Sequence, residues 1–133
     1  MPVVSIFPNY APQVLRVANN SGSDMVAGNI VGLQGFDPTH MCPQILLAGS
    51  SPSSLRPMGV LGADIGDGDV GLMTLGPLFI HDIDVGAMVL DDKVYCNDGE
   101  ITDSGDYYIG ICVIAGMTGS VYIFPPSMMA KEA

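Results

Sequence analysis

The sequence contains no tryptophan and only four lysines and arginines: Arg16, Arg56, Lys93 and Lys131. Fourteen acidic residues bring the net charge of the 133-residue chain to −10 at neutral pH. A protein that binds nucleic acid needs a basic face to displace counterions from the phosphates, and binding to an anionic membrane surface needs the same charge. We therefore expect no direct contact with nucleic acid and no membrane attachment. No run of 18 apolar residues is present, so no membrane-spanning helix is expected.

Motifs for catalysis and nucleotide binding are also missing. There is no Gly-x-Ser-x-Gly motif, and the serines at 21, 50, 51, 53 and 54 have no histidine near them in the sequence. Cys112 has no flanking charge that would activate its thiol. The glycine-rich stretch 66–71 contains two aspartates, which repel phosphate. These absences favour a structural or binding protein that is not an enzyme and needs no cofactor.

Cysteine is scarce and odd in number. The three cysteines, Cys42, Cys96 and Cys112, form no Cys-x-x-Cys motif. An extracellular disulfide framework has an even number of paired cysteines, so we expect none here, and folding in a reducing environment is favoured.

Glycine and proline are abundant and determine the fold class. Seventeen glycines and ten prolines are about twice the usual share, and the longest stretch without either is residues 87–98. Its centre, Asp91-Asp92, lies between β-favouring residues, which predicts strand, turn and strand rather than a helix. The sequence therefore predicts an all-β protein, a compact barrel or sandwich. The predicted strands are 3–7, 13–18, 30–33, 44–47 (strand or helical turn), 57–61, 70–74, 78–81, 88–90, 93–97, 107–115 and 120–124.

Composition predicts an extended N-terminal arm (1–12), one β-barrel domain (13–126) and a C-terminal tail (127–133). Four prolines and a polar string mark residues 36–57 as one long loop excursion, either functional or a plain surface loop. Prolines also bracket residues 3–7 of the arm, as suits an edge strand. Such a strand either adds to the sheet of another protein or is the first strand of its own barrel.

Two acidic clusters are candidate sites. Asp64, Asp67 and Asp69 alternate with glycine and could ligate Ca²⁺, although the spacing is not that of an EF-hand and an Asp/Gly turn is favoured. His81 with Asp82 and Asp84 suggests a metal site or a hydrolase site, and strand alternation would place both aspartates opposite the histidine.

A second metal-site hypothesis joins distant parts of the sequence. His40 and Cys42 would meet His81 only if the fold brought them together, and no ligand spacing predicts this. Exposed turn residues are the favoured alternative.

The order of several glycine-led segments carries a family resemblance. Residues 59–73 (GVLGADIGDGDVGLM), 85–95 (VGAMVLDDKVY), 108–113 (YIGICV) and 119–123 (GSVYI), with 28–31 (GNIV), are similar to tailed-phage capsid cement proteins, also called head decoration proteins. The resemblance covers about three quarters of the chain, and the excursion 36–57 departs from it.

This resemblance implies a small β-barrel of the tulip or clip type that forms a homotrimer. It implies binding to the outer surface of an assembled phage head after synthesis in the host cytoplasm, where the protein bridges subunits of the major capsid protein. Candidate capsid contacts, by strand addition, are Val3, Val4, Ser5, Ile6, Phe7 and Tyr10. Candidate trimer contacts are Leu78, Phe79, Ile80, Ile109 and Ile111. The alternatives are a calcium- or sugar-binding module of a virion fibre or spike, and a hydrolase or lyase on a β-barrel.

Overall fold

A computed structural model describes residues 2–6, 13–49 and 55–131, which form twelve β-strands and one short 3-10 helix. No helix in this part of the chain is long and apolar enough to cross a membrane. The predicted all-β fold is confirmed. The strands are β1 (Val3–Ile6), β2 (Gln13–Ala18), β3 (Ile30–Asp37), β4 (Cys42–Leu47), β5 (Gly59–Leu61), β6 (Val70–Leu75), β7 (Leu78–Ile83), β8 (Lys93–Asn97), β9 (Glu100–Thr102), β10 (Tyr107–Ile114), β11 (Gly119–Ile123) and β12 (Ala130–Lys131), and the 3-10 helix is Pro126–Met128.

The strands form two sheets rather than the one barrel predicted for residues 13–126. Strands β2, β4, β3, β5 and β6 make a closed barrel, in which a short parallel contact between Ala18 and Gln44 joins β2 to β4. The second sheet has the order β1-β7-β11-β10-β8-β9, and β12 pairs with the start of β10. The C-terminal tail thus contributes a strand to this sheet.

The two sheets share a hydrophobic core. The barrel interior is filled by a cluster that includes Val17, Ile45 and Leu61. A second, larger cluster lies on the inner face of the second sheet, and three barrel residues, Ile30, Ala48 and Val60, are part of it. The backbone continues this contact, because the N–H of Ile30 donates to the Gly99 carbonyl (2.8 Å) and the Gly99 N–H donates to the Ala48 carbonyl (2.9 Å). Barrel and sheet therefore pack as one unit.

The predicted loop excursion 36–57 is largely a β-hairpin of the barrel. Strand β3 extends to Asp37, and β4 occupies Cys42–Leu47, so 44–47 is strand and not a helical turn. Pro43 lies opposite Phe36, beside a register shift in the β3–β4 pair where a proline is tolerated. The sequence reading was wrong here because it took the prolines as loop markers. The polar residues 50–54 lie outside the described residues.

The predicted strand at 88–90 is a pair of turns. The N–H of Met88 donates to the Val85 carbonyl (3.2 Å), and the N–H of Asp92 donates to the Val89 carbonyl (3.0 Å). The Asp92 carboxylate also accepts a hydrogen bond from the Val89 N–H (3.0 Å). Aspartate favours such local bonds over a strand ladder, which overrides the β propensity of the apolar residues.

Candidate functional site

Strand β1 carries most of the predicted capsid contacts and lies at one end of the second sheet. It pairs antiparallel with β7, with Val3 opposite His81 and Ile6 opposite Leu78. Residues Val3–Ile6 therefore form an edge strand of their own sheet, which was one of the two alternatives. Phe7 and Tyr10 lie outside the described residues. Capsid contact by this strand remains a prediction.

His81 links β1 and β11 through the strand between them. Its Nε2 lies 2.7 Å from Ser5 Oγ, and its Nδ1 lies 2.8 Å from Ser120 Oγ. A hydroxyl both donates and accepts, so both ring nitrogens are satisfied in either tautomer. A serine–histidine pair resembles an activated nucleophile, but in a catalytic triad a carboxylate orients the imidazole, and here the hydroxyl of Ser120 takes that place. The arrangement fits a cross-strand structural link.

Asp82 and Asp84 do not converge with His81 into a metal-binding group. Asp82 has a left-handed backbone (φ 57°) and is the extra residue of a bulge, because His81 pairs with Ser120 and Ile83 with Gly119. Both aspartates are exposed, and the Asp84 carboxylate accepts a hydrogen bond from the Gly86 N–H (2.8 Å). The bulge also breaks the predicted strand alternation at this point.

The cluster Asp64, Asp67 and Asp69 holds two loops together. The Ala27 N–H donates to the Asp64 carboxylate and the Gly22 N–H to that of Asp67, each at 2.9 Å. In return, the Asp67 N–H donates to the Asp24 carboxylate (2.9 Å). These carboxylates bond to another loop, and the turn itself is closed by the Asp69 N–H, which donates to the Gly66 carbonyl (3.0 Å), with Gly68 at positive φ. No three metal-ligating side chains converge anywhere in residues 2–6, 13–49 and 55–131.

The residues of the second metal-site hypothesis, His40, Cys42 and His81, do not converge either. His40 lies in the β3–β4 turn of the barrel, where its Nδ1 is 2.7 Å from the buried Asp37 carboxylate, whereas His81 lies in the second sheet. Cys42 is buried at the start of β4. Hydrogen bonds from the side chain of His40, from Asn20 and from the backbone of the turn lower the pKa of Asp37 to about 2, although its burial opposes the shift. Asp37 therefore stabilises the hairpin turn as an ionised group.

Three of the predicted trimer contacts are wrong. Leu78, Ile80 and Ile109 point to the inner face of the second sheet and are fully buried in the core of their own chain. The first three residues of β7, Leu78, Phe79 and Ile80, are all apolar, so the sequence did not separate inward from outward positions. Phe79 and Ile111 are partly exposed, and for them trimer contact remains a prediction.

The outer face of the second sheet carries an aromatic row that the sequence reading missed. Successive ring centroids lie between 5.1 and 5.9 Å apart, and the Lys93 ammonium lies 4.9 Å from the Tyr108 ring centroid. Contacts of this kind add stabilisation beyond their buried area. The row consists of Phe79, Tyr122, Phe124, Tyr108 and Tyr95, of which Phe124 is buried and also packs in the core. It therefore gathers five of the nine aromatic residues of the chain.

Comparison with known proteins identifies one informative fold. No protein-family profile matches the chain, and no curated protein matches it significantly. Among solved structures, the fold is similar to that of the head fiber gp8.5 N base of bacteriophage phi29, with a TM-score of 0.63 and 17% sequence identity. The alignment covers 85% of this chain and 94% of that chain. The chain therefore shares its fold with nearly the whole of this phage fiber base.

Proposed function

We propose that the chain is a structural protein of a tailed-phage head, attached to the outer surface of the capsid. The observation that carries this proposal is the fold similarity over 94% of the phi29 head fiber base. The resemblance of the glycine-led segments to head decoration proteins supports the same location. Neither line of support involves a catalytic group or a cofactor, so we propose a role that needs neither.

The charge of the chain supports a position outside the shell. With a net charge of −10, the protein is repelled by packaged DNA and is tolerated on an outer surface. The basic side chains of Arg16 and Arg56 already donate to backbone carbonyls of the protein itself. The partners we propose are therefore proteins, namely the major capsid protein and further copies of this chain, and not nucleic acid or membrane.

Attachment through several subunits would stabilise the head. A homotrimer that contacts several capsid subunits raises the effective concentration of each further contact, so individually weak contacts add up to stable binding. Binding to the assembled lattice alone stabilises that lattice against disruption. Phe79 and Ile111 on the outer sheet face are the proposed trimer contacts, and edge strand β1 is the proposed capsid contact.

The phi29 fiber base favours a second role, as the anchoring base of a head fiber. The two roles differ in their effect on the shell. A cement protein bridges capsid subunits and raises the temperature at which heads release DNA, whereas a fiber base need only hold a projecting structure. Both predict that the chain is present on the head.

Reconstitution tests the proposal. Heads of the phage that encodes the chain, produced without it, are mixed with purified protein and sedimented. We expect saturable co-sedimentation at a fixed ratio to the major capsid protein, and absence of binding would contradict head attachment. Heating the same heads with and without the protein then separates the roles, because only the cement role predicts a higher DNA-release temperature.

A further inference from the structure

The second sheet ends in strand β9, which leaves a backbone edge next to a groove. Within the described residues, β9 pairs only with β8, through Tyr95 with Thr102, Cys96 with Ile101 and Asn97 with Glu100. Residues 99–103 form one wall of the groove and residues 83–88 form another, while Pro2 and residues 26–29 close the end next to Gly99, and we call it the β9 groove. An unpaired strand edge is a template for another strand.

The hairpin geometry determines which backbone groups face the groove. Asp98 and Gly99 both have positive φ (52° and 78°), so a two-residue turn joins β8 to β9. The flanking pair Asn97 and Glu100 then exchanges both hydrogen bonds, and the N–H and C=O of alternate residues point away from β8. The backbone groups of Gly99 point away from β8 in this way. Its N–H donates to the Ala48 carbonyl, and its C=O accepts from the Ile30 N–H, so both bond to the barrel. The next outward groups belong to Ile101.

The groove has room for an extended peptide. It consists of two adjoining hollows of about 360 and 280 Å³ that share Asp84 and Ile101. Apolar side chains, including Val26, Ile83 and Ile101, line it. Because the outward groups of Gly99 are already bonded to the barrel, the free part of the edge, residues 100–103, matches a strand of about four residues at about 3.3 Å per residue.

The charge of the groove selects the ligand. Asp84, Glu100 and Asp103 are exposed along it, and its described lining includes no lysine or arginine. Neither Glu100 nor Asp103 forms an ion pair within the described part of the chain. An apolar groove with an acidic rim is complementary to a segment that alternates apolar and basic residues.

We propose that the β9 groove binds an extended segment of another polypeptide, rich in alternating apolar and basic residues, which adds to β9 as a strand. Its backbone bonds to the outward groups of Ile101, its apolar side chains pack on Ile83 and Ile101, and its basic side chains meet the acidic rim. Backbone pairing provides affinity, and the alternate side chains provide specificity. The proposal goes beyond head attachment and does not depend on it.

An NMR titration of the whole chain with a capped peptide of alternating lysine and valine tests the proposal. We expect chemical-shift changes at residues 83–88 and 99–103 and slower solvent exchange of the Ile101 amide. The double variant E100Q/D103N should bind at least about tenfold more weakly, since two charge-assisted contacts to the peptide are lost. D91N, which makes the same kind of change at an exposed residue outside the groove lining, should bind as the unchanged chain does.

Two control peptides make the test specific. A peptide with glutamate in place of lysine, and a lysine–valine peptide N-methylated at alternate residues to block strand pairing, should both fail to bind. The proposal is overturned if the lysine–valine peptide leaves the groove resonances unchanged, shifts another surface instead, or binds no better than either control. Because the assay uses the isolated chain, its failure is distinguishable from failure to co-sediment with heads.

Discussion

The barrel and the second sheet are built from similar short strands but differ in their edges. The barrel closes on itself through β2 and β4, so it has no end strand. The second sheet stays open and ends at β1 and β9. It also carries the aromatic row on its outer face. Closure removes the backbone groups through which strands associate, so the capacity for strand addition lies in the open sheet. The barrel supports this sheet through their shared core.

The variant Gly110→Ala should break the open sheet most severely. A Cβ at this position would overlap the backbone carbonyl oxygen of Tyr122 on the neighbouring strand, and backbone cannot move aside as a flexible side chain can. We expect a loss of stability of more than about 3 kcal/mol, seen as insoluble expression or a much lower melting temperature. Gly62→Ala is the matched control, since a Cβ there meets nothing within 4 Å. Equal melting temperatures for the two variants would contradict the close strand approach at Gly110.

Core truncations in the two regions test whether barrel and sheet unfold together. Ile80→Ala in the second sheet and Ile45→Ala in the barrel each remove a buried side chain and should cost about 2–5 kcal/mol. Because Ile30, Ala48 and Val60 of the barrel pack in the core of the second sheet, both variants should lower one shared transition. Differential scanning calorimetry measures this. Two separate transitions, each sensitive to only one variant, would show that the regions are independent.

Asp37 lies in the β3–β4 turn of the barrel, and its carboxylate should make the stability of the fold depend on pH. The pKa of Asp37 is lowered to about 2 from 3.8, so its ionised form stabilises the fold above about pH 4, and this contribution is lost as the pH falls towards 2. Asp37→Asn should lower the melting temperature by a few degrees near pH 7. Thermal melts across this range should show the difference from the unchanged chain shrinking as the pH falls. A constant difference down to pH 2 would contradict the role of the ionised carboxylate.

Thiol labelling should show the smallest effect, because a buried cysteine reacts only when the region around it unfolds. Burial raises the pKa of Cys96 to about 12 and also raises the pKa of Cys112, and both lie in the core of the second sheet. We expect almost no reaction of these thiols with a disulfide reagent at pH 8 until the chain unfolds. Labelling followed by mass spectrometry compares them with Cys42 of the barrel. Rapid labelling of Cys96 in the native chain would show that the open sheet is less stable than the closed barrel.

Local chemistry could be predicted from the sequence, whereas long-range pairing could not. Gly and Pro spacing predicted the all-β fold, and β8 was placed at residues 93–97 as observed. The turn at 66–69 has Gly68 at positive φ, as its sequence suggested, but the carboxylates of Asp64 and Asp67 bond to another loop and not to their local backbone. The division into two sheets and the aromatic row depend on the cross-strand registers of distant residues, such as Phe79 with Tyr122. No single-chain pattern encodes such registers.

The sequence of β7 also does not show which of its side chains are buried. Leu78, Phe79 and Ile80 are all apolar, so only the fold distinguishes the two buried side chains from the partly exposed one between them. The β9 groove has no local signal either, because its lining comes from segments far apart in the sequence: Pro2 and residues 26–29, 83–88 and 99–103.

Quantitative mass spectrometry of purified virions is the most decisive test of the proposed attachment to a phage head. If the proposed attachment is right, the chain remains with DNA-filled heads after gradient purification, in many copies and at a constant ratio to the major capsid protein. Absence of the chain from these particles, or a trace amount that varies between preparations, would contradict it.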